Sequence, residues 1–246
     1  MAYKLVTLNI QSDVHLDLVC GFLGRVRPDV LCLQEVYQAD LSVLQSVVGF
    51  NLEHVAVAEV NKPLPNMGTP KGKWGVAIGT RFPVSAVRPF QYRDLSQVLP
   101  IPEKEGPGHV IPSAIAIQFV ADATKQTVVS THFTWSANAT ISPQQISDAI
   151  NLKKYLTDNF PDYILCGDFN APRGKTLYTL LQSGLTDNLP KDITTTIDEN
   201  FHYAGKLDLV VDTIFSTPEY QVSQVEVVGG MSDHKALVAQ VEKIQT

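Results

Sequence analysis

The sequence predicts an α/β fold in which short buried strands alternate with amphipathic helices. Residues 3–10 alternate between apolar and polar types, the period of a strand, and residues 29–34 form a short apolar run typical of a buried strand. Between these two segments, apolar residues recur at helical spacing from Leu16 to Val26, and Pro28 ends the predicted helix. An apolar fraction of 44% and a charged fraction of 18% are typical of a folded globular chain.

The same criteria assign most of the remaining chain to strands, helices and loops. Further strands are predicted at residues 52–60, 74–80, 84–92, 113–121, 127–132, 162–166, 206–217, 220–228 and 234–242. Further helices are predicted at residues 41–48, 143–156 and 175–183, with Ser142 as the cap of the second. Residues 61–73, 94–112 and 187–205 are predicted loops. Since no internal repeat or linker divides the chain, we expect one domain over residues 1–246.

Charge and cysteine content limit the classes of function. The net charge of −6 argues against strong non-specific binding to nucleic acid, which draws on many basic contacts to phosphate. Cys32 and Cys166 lie in apolar runs and, with Cys20, form no disulfide framework and no zinc-binding spacing. The start of the chain lacks a signal sequence, and no apolar stretch reaches the ~18 residues of a membrane span. We therefore expect a cytoplasmic monomer without a transmembrane segment.

Residues 164–172, Ile-Leu-Cys-Gly-Asp-Phe-Asn-Ala-Pro, hold the most informative motif. The apolar run ends at Gly167, and Asp168 and Asn170 follow two residues apart. Since residues i and i+2 of an extended segment point to the same side, both side chains are expected to converge near the end of the strand. A carboxylate there can bind a metal or orient water, and an amide can donate to a developing oxyanion. The structural alternative is an Asx turn, which uses the same residue types.

Further polar residues follow the same rule of position. Each lies at the end of a predicted strand or beside the start of the last one, and the set comprises Asn9, Glu35, His132, Asp168, Asn170, Asp212, Asp233 and His234. Any one of them is explained as well by a turn or a satisfied buried polar group. Together they provide oxygen ligands, imidazoles and amides, which suit the hydrolysis of a phosphoester.

These segments resemble the motifs of the endonuclease/exonuclease/phosphatase superfamily, whose fold is that of deoxyribonuclease I. The matching segments, in the order of the family, are Leu8-Asn9-Ile10, Leu33-Gln34-Glu35-Val36, residues 75–84, Thr131-His132-Phe133, Gly167-Asp168-Phe169-Asn170, residues 211–215 and Ser232-Asp233-His234. The resemblance implies a four-layer α/β/β/α sandwich, with two stacked mixed sheets flanked by helices. It also implies a divalent-metal-dependent phosphodiester hydrolase that acts on a phosphodiester, with nucleic acid as one class of substrate.

The resemblance also implies a role for each site residue. Glu35 is similar to the principal ligand of Mg²⁺ or Mn²⁺, with Asn9 beside it and Asp233 as a further ligand.

Catalytic roles fall to five other residues. Asp168 is similar to the residue that orients or deprotonates the attacking water, and Asn170 to the one that bonds the phosphate. His234 and His132 are similar to the histidines on the phosphate side, and Asp212 to the partner of His234.

Two points of the resemblance leave alternatives open. Asp208 has the same strand parity as Asp212 and competes for the role of partner to His234; we prefer Asp212 because the residues after it fit the family strand better. Where many members carry an Arg before the strand of the Thr-His motif, this chain has Gly108-His109-Val110. Substrate contacts of that region therefore do not transfer.

Three hypotheses of function follow. The first is a nuclease-like phosphodiesterase, and Trp135 after the Thr-His motif is placed to stack on a base or to pack in the fold. The second is a phosphatase or lipid phosphodiesterase of the inositol phosphate or sphingomyelinase type. The third is a non-catalytic binding module on the same scaffold. Glu35 is followed by Val36-Tyr37, and this departs from the Gln-Glu-x-Lys form usual in abasic-site endonucleases of the superfamily.

Overall fold

The computed structural model describes residues 1–93, 99–101 and 110–244, which form two β-sheets and the helices that flank them. The strands, in chain order, are β1 (Tyr3–Asn9), β2 (Val30–Tyr37), β3 (Leu52–Val60), β4 (Gly72–Thr80), β5 (Val84–Gln91), β6 (Ser113–Ala121), β7 (Thr124–His132), β8 (Ile164–Asp168), β9 (Thr186–Asp187), β10 (Asp212–Ser216), β11 (Tyr220–Val228) and β12 (Ala236–Lys243). The α-helices are α1 (Leu16–Val26), α2 (Leu41–Val48), α3 (Pro143–Asn159) and α4 (Thr176–Gln182).

Each sheet has six strands and mixes parallel with antiparallel pairs. The first sheet has the order β11-β12-β1-β2-β4-β3, and the second has the order β5-β6-β7-β8-β10-β9. One parallel pair lies near the middle of each sheet: β1 with β2, and β7 with β8. The carboxyl ends of these four strands carry predicted site residues.

The alternation of side chains along the strands builds three apolar layers. Leu5 of β1 and Ile117 of β6 belong to a core between the sheets, whereas Val6 packs outward with helices α1 and α2. On the second sheet, Leu165 packs outward against α3 and α4. Three buried layers require four layers of secondary structure, and the predicted four-layer sandwich is thereby confirmed.

Several local predictions are confirmed. Helix α1 ends at Val26, and the next residue, Arg27, adopts a left-handed conformation directly before Pro28. Ser142 caps α3 in a capping box with Gln145, in which each side chain accepts a hydrogen bond from the other's backbone N–H. The hairpin between β6 and β7 is tighter than predicted, because Asp122 and Ala123 both have positive φ and form a two-residue turn.

Several strand limits differ from the prediction, and three of the differences lie at the predicted site. Strand β2 continues through Glu35 to Tyr37, because a bulge between Leu33 and Val36 admits the polar residue. Strand β8 includes Asp168 rather than ending before it. Strand β10 starts at Asp212, and residues 206–211 form no strand. Leu209 O accepts the N–H of Thr196 in the loop before them, whereas Val210 O and Val211 O accept those of Arg173 and Phe169 after β8. The predicted loop at 94–112 lies mostly outside the described residues.

Candidate active site

The predicted site residues meet at one edge of the two stacked sheets. In the second sheet Asp168 ends β8 between two partners: it lies opposite His132 of the parallel strand β7 and opposite Asp212 of the antiparallel strand β10. Because β10 runs antiparallel to β8, its first residue reaches the same edge as the last residue of β8. Asp212 was expected within a strand, and it stands instead at the start of one.

Asn9 joins the two sheets at this edge. Its amide Nδ2 donates to Glu35 Oε1 at 3.0 Å within the first sheet and to Asp168 Oδ2 at 3.1 Å in the second. Its Oδ1 accepts the backbone N–H of Gln11 at 3.1 Å, which fixes the orientation of the amide. The carboxylates of Glu35 and Asp168 are therefore held on one polar group, although they come from different sheets.

The backbone around these carboxylates is unusual. Glu35 lies at the bulge of β2 with φ of 60°, and Asn170 has φ of 48°. Left-handed conformations of non-glycine residues are costly, and they persist where the surrounding structure holds them, often at functional sites. Here the conformation turns the half-buried Glu35 side chain to the edge that carries Asp168.

His234 and Asp212 form a buried pair. His234 Nδ1 lies 2.9 Å from Asp212 Oδ2, and Nε2 lies 3.7 Å from Asp168 Oδ2. Burial opposes the charged imidazole, but the negative charges of Asp212 and Asp168 outweigh it and raise the pKa of His234 well above its usual range. His234 is thus held protonated. Asp208 is exposed, and no hydrogen bond within the described part of the chain joins it to His234.

His132 faces the same carboxylate from the other side. Its Nε2 lies 3.5 Å from Asp168 Oδ2 and 3.9 Å from Glu35 Oε1. Burial alone would lower the pKa of His132, but the hydrogen bond and the charge of Asp168 outweigh it and raise the pKa. The ring of Trp74 packs edge-on at 5.7 Å, and its Nε1 donates to Ser12 Oγ at 3.0 Å. Trp74 was not identified from the sequence, because a lone tryptophan in a strand carries no signal of its own.

The two histidines keep Asp168 ionised. Burial alone would raise its pKa, but the charge of His234 and the hydrogen bond from His132 lower it to about 2. Asp168 Oδ1 also accepts the backbone N–H of Asn170 at 2.8 Å, so the Asx turn considered above is present. The turn and the convergence of both side chains occur together. Asn170 Nδ2 donates to Phe133 O at 2.9 Å, which leaves a second N–H and Oδ1 for a ligand.

The pKa of Glu35 is shifted in the opposite direction from that of Asp168. Its pKa is raised, first by burial and further by the charge of Asp233, although the charge of His132 opposes the shift. No lysine or arginine of the described residues forms a salt bridge with it. Asp233 is half-buried and accepts from Ser232 Oγ at 3.1 Å, and the same hydroxyl donates to Asn9 O at 2.8 Å. The two carboxylates are therefore close enough to repel each other and would gain from a shared cation.

The donor set fits a hard divalent cation. Carboxylate oxygens are preferred ligands of Mg²⁺ and Mn²⁺. One group of ligand atoms, from Asp168, Asp212 and His234, lies within 4.8 Å of one another. This group differs from the predicted ligands, and Asp212 Oδ2 is already bonded to His234. The nearest imidazole nitrogen to Glu35, His132 Nε2, lies farther away at 3.9 Å, so Glu35 is the residue through which we expect a metal to bind.

The chain belongs to the endonuclease/exonuclease/phosphatase family, whose model matches residues 6–234. Members of this family are hydrolytic phosphoesterases or nucleases. The resemblance inferred from the motifs is thereby confirmed. A search of curated proteins found no match.

Solved structures show the same fold across nearly the full chain. The endonuclease/exonuclease/phosphatase from Bacteroides vulgatus is 17% identical with a TM-score of 0.75, and the match covers 99% of both chains. The human nocturnin catalytic domain with bound sulfate is 18% identical with a TM-score of 0.72, over 98% of this chain and 93% of that one. The Bacteroides thetaiotaomicron mannosyl-6-phosphatase is 13% identical with a TM-score of 0.70, over 98% and 99%.

No helix in the described part of the chain is long and apolar enough to cross a membrane.

Proposed function

We propose that the protein is a divalent-metal-dependent phosphodiester hydrolase. The observation that supports this most is the environment of Asp168, which lies within hydrogen-bonding or ion-pair reach of Asn9, His132 and His234 at the joined edge of the sheets. An ionised carboxylate between two imidazoles whose pKa values are raised, with a second carboxylate across Asn9, suits a reaction in which water attacks an anionic phosphorus centre.

Each site residue has its own proposed role in hydrolysis. Asp168, ionised at all physiological pH values, orients or deprotonates the attacking water, and its low pKa favours the orienting role. Asp212 fixes the position of the His234 ring and stabilises its positive charge. His234 then donates from Nε2 to a phosphate oxygen. Asn170 has an N–H left to donate to the same group, and His132 adds positive charge on the Glu35 side.

A divalent ion would be held by Glu35, with Asp233 and Asn9 as further ligands, and would supply Lewis-acid stabilisation of charge on the phosphate. For Asn9 to coordinate through Oδ1, its amide must turn and give up the bond from Gln11. Glu35 is therefore the ligand that requires the least rearrangement.

Hydrolysis assays with matched variants test the proposal. Wild type, His234→Ala, Asp212→Asn and Asp208→Asn are compared on single- and double-stranded DNA, RNA, bis-p-nitrophenyl phosphate, inositol phosphates, a sugar phosphate and sphingomyelin, with Mg²⁺, Mn²⁺ or chelator. Loss of a charged donor to the transition state costs on the order of 10²–10³ in rate. Asp208→Asn is the control, since Asp208 is exposed and Asp212 is buried.

Each outcome has a distinct meaning. Metal-dependent cleavage of a diester that survives Asp208→Asn and is lost in His234→Ala supports the proposal. Cleavage restricted to monoesters makes the protein a phosphatase, and cleavage restricted to sphingomyelin makes it a lipid phosphodiesterase. A folded protein that binds metal and hydrolyses none of the panel contradicts the proposal and favours a binding module.

A further inference from the structure

A turn at residues 198–205 is attached to the segment that carries the proposed catalytic histidine. The backbone N–H of Asp198 donates to Asp233 O at 2.8 Å, and Ile197 forms an isolated β-bridge with His234. The side chain of Asp198 accepts the backbone N–H of Gly230 at 2.7 Å. The turn therefore keeps a fixed position relative to Asp233 and His234.

The turn is also stabilised by hydrogen bonds within it and by packing against His15. Asp198 O accepts the backbone N–H groups of Phe201 and His202, and His202 Nδ1 accepts the N–H of Ala204 at 3.2 Å. The ring of Phe201 packs edge-on against His15, with centroids 4.7 Å apart. His15 precedes α1, so the turn is braced against the loop that follows Asn9 as well.

This fixed turn presents an exposed aromatic ring near the site. Tyr203 is 70% exposed, and it stacks on His202 with ring centroids 4.6 Å apart and 29° between the planes. One face of Tyr203 is thus covered by His202, and its exposure leaves the other face to solvent, on a turn that is bonded to the segment of Asp233 and His234.

We propose that the Tyr203–His202 pair is a stacking platform for a nucleobase of the phosphodiester substrate. The inference rests on the proposed function, because the turn adjoins the phosphate-side histidine. A flat aromatic ring with one free face binds a flat partner, and every base has such a face. The platform is flanked by exposed Glu199, Asn200 and Lys206, so it offers no apolar patch for a lipid.

A pair of substrates that differ only in the base provides the test. The first is thymidine 5′-(p-nitrophenyl phosphate), and the second is its analogue with deoxyribose and no base; both release p-nitrophenol. We expect Tyr203→Ala to raise KM for the thymidine ester about tenfold, with little change in kcat and little change for the abasic ester. Tyr203→Phe keeps the ring and should behave as wild type, and Lys206→Ala, directly after the same turn, is the control.

A binding measurement separates this inference from the proposed function. Chemical shifts of the Tyr203 ring are followed as thymidine monophosphate or deoxyribose 5-phosphate is added to wild type in the presence of chelator, and the affinity of Tyr203→Ala for both ligands is measured alongside. Ring-current shifts with the base-containing ligand alone support the platform, whether or not turnover is detected. If Tyr203→Ala changes KM equally for the two esters, or if both ligands bind equally well, the stacking platform is overturned. The proposed hydrolase activity would stand in either case. Equal increases in KM for the two esters would indicate that Tyr203 recognises the sugar.

Discussion

At the scale of the residue, the two oxygens of Asp168 have different tasks. Oδ1 accepts the backbone N–H of Asn170 and closes the turn after β8, whereas Oδ2 faces Asn9, His132 and His234. One carboxylate oxygen thus fixes the local backbone and the other faces the chemistry. The motif predicted both tasks as alternatives, and the structure shows them together because a carboxylate has two acceptors.

The charge of His234 predicts a pH-dependent effect of Asp212→Asn on metal-free protein. Because the pKa of folded His234 lies above the unfolded value of about 6.5, its contribution to stability is fully present below that pH and is lost as pH rises through the folded pKa. Asp212→Asn removes the carboxylate that raises this pKa. We expect the variant to lose about 3 kcal/mol of unfolding free energy near pH 6, and less as pH rises.

Urea titrations in the presence of chelator, at several pH values, measure this difference between wild type and variant. An NMR titration of the His234 ring provides the second readout and should show a lower pKa in Asp212→Asn. A stability difference that grows toward alkaline pH would contradict the assignment of the pair.

Glu35→Gln is predicted to remove most metal binding while the fold remains. The pKa of Glu35 is raised by burial and by the charge of Asp233, and a bound cation would offset both. At a Mn²⁺ concentration 100 times the dissociation constant, wild type should gain about 2.7 kcal/mol of stability. Thermal denaturation with and without Mn²⁺ measures this gain, which Glu35→Gln should lose and the exposed Glu53→Gln should keep. An equal gain in all three would place the metal elsewhere.

At the scale of the element, β8 depends on a glycine next to its catalytic end. Gly167 has φ of +141°, and a Cβ there would lie 1.9 Å from Thr131 O of the neighbouring strand β7. The close approach brings His132 and Asp168 to facing positions. A larger residue would have to push the two strands apart at the point where the site is formed.

Gly167→Ala is therefore predicted to destabilise the fold by more than the backbone strain alone. Gly184 also has positive φ, +79°, but a Cβ at this position would meet no atom within 4 Å, so Gly184→Ala reports the strain without the clash. We expect about 1 kcal/mol for Gly184→Ala and at least about 3 kcal/mol for Gly167→Ala. Guanidinium denaturation measures both, and equal losses would mean that the strands adjust freely.

The same element scale shows what the sequence could and could not predict. Strands β3, β6 and β11 have the predicted limits, although β3 and β11 each contain a register shift that was not predicted. The bulge at Glu35 escaped prediction, because a register shift depends on the partner strand β4 and not on local periodicity. Asp212 was identified as a site residue although the limits of its strand were wrong, because its motif was independent of the strand predicted for residues 206–211.

At the scale of the whole molecule, stability and chemistry occupy different regions. The core between the sheets is apolar, and the polar site lies at one edge of it. The order of the motifs along the chain was sufficient to predict the sandwich, because it carries the resemblance to the family and the resemblance implies that fold. Contacts that cross from sheet to sheet could not be predicted from spacing. Asn9 and Asp168, for example, are hydrogen-bonded but lie 159 residues apart in the sequence.

A core substitution far from this edge is predicted to lower stability and leave the site unchanged. Ile117 is fully buried between the sheets, and Ile117→Ala should cost about 2–5 kcal/mol of unfolding free energy. Below the melting temperature, kcat and KM should match wild type. Calorimetry and steady-state kinetics measure the two effects, with the exposed Val43→Ala as the control. A large change in KM would show that the core and the site are coupled.

The amide of Asn9 has a consequence for how the protein would fail. It links half of the catalytic group, which belongs to one sheet, to the half that belongs to the other. Either sheet can keep its hydrogen-bonded strands while the two slide or part slightly, and the circular dichroism of the backbone would barely register this. Activity would be lost at that point. Turnover therefore reports a change in the relative position of the two sheets more sensitively than any measure of secondary structure.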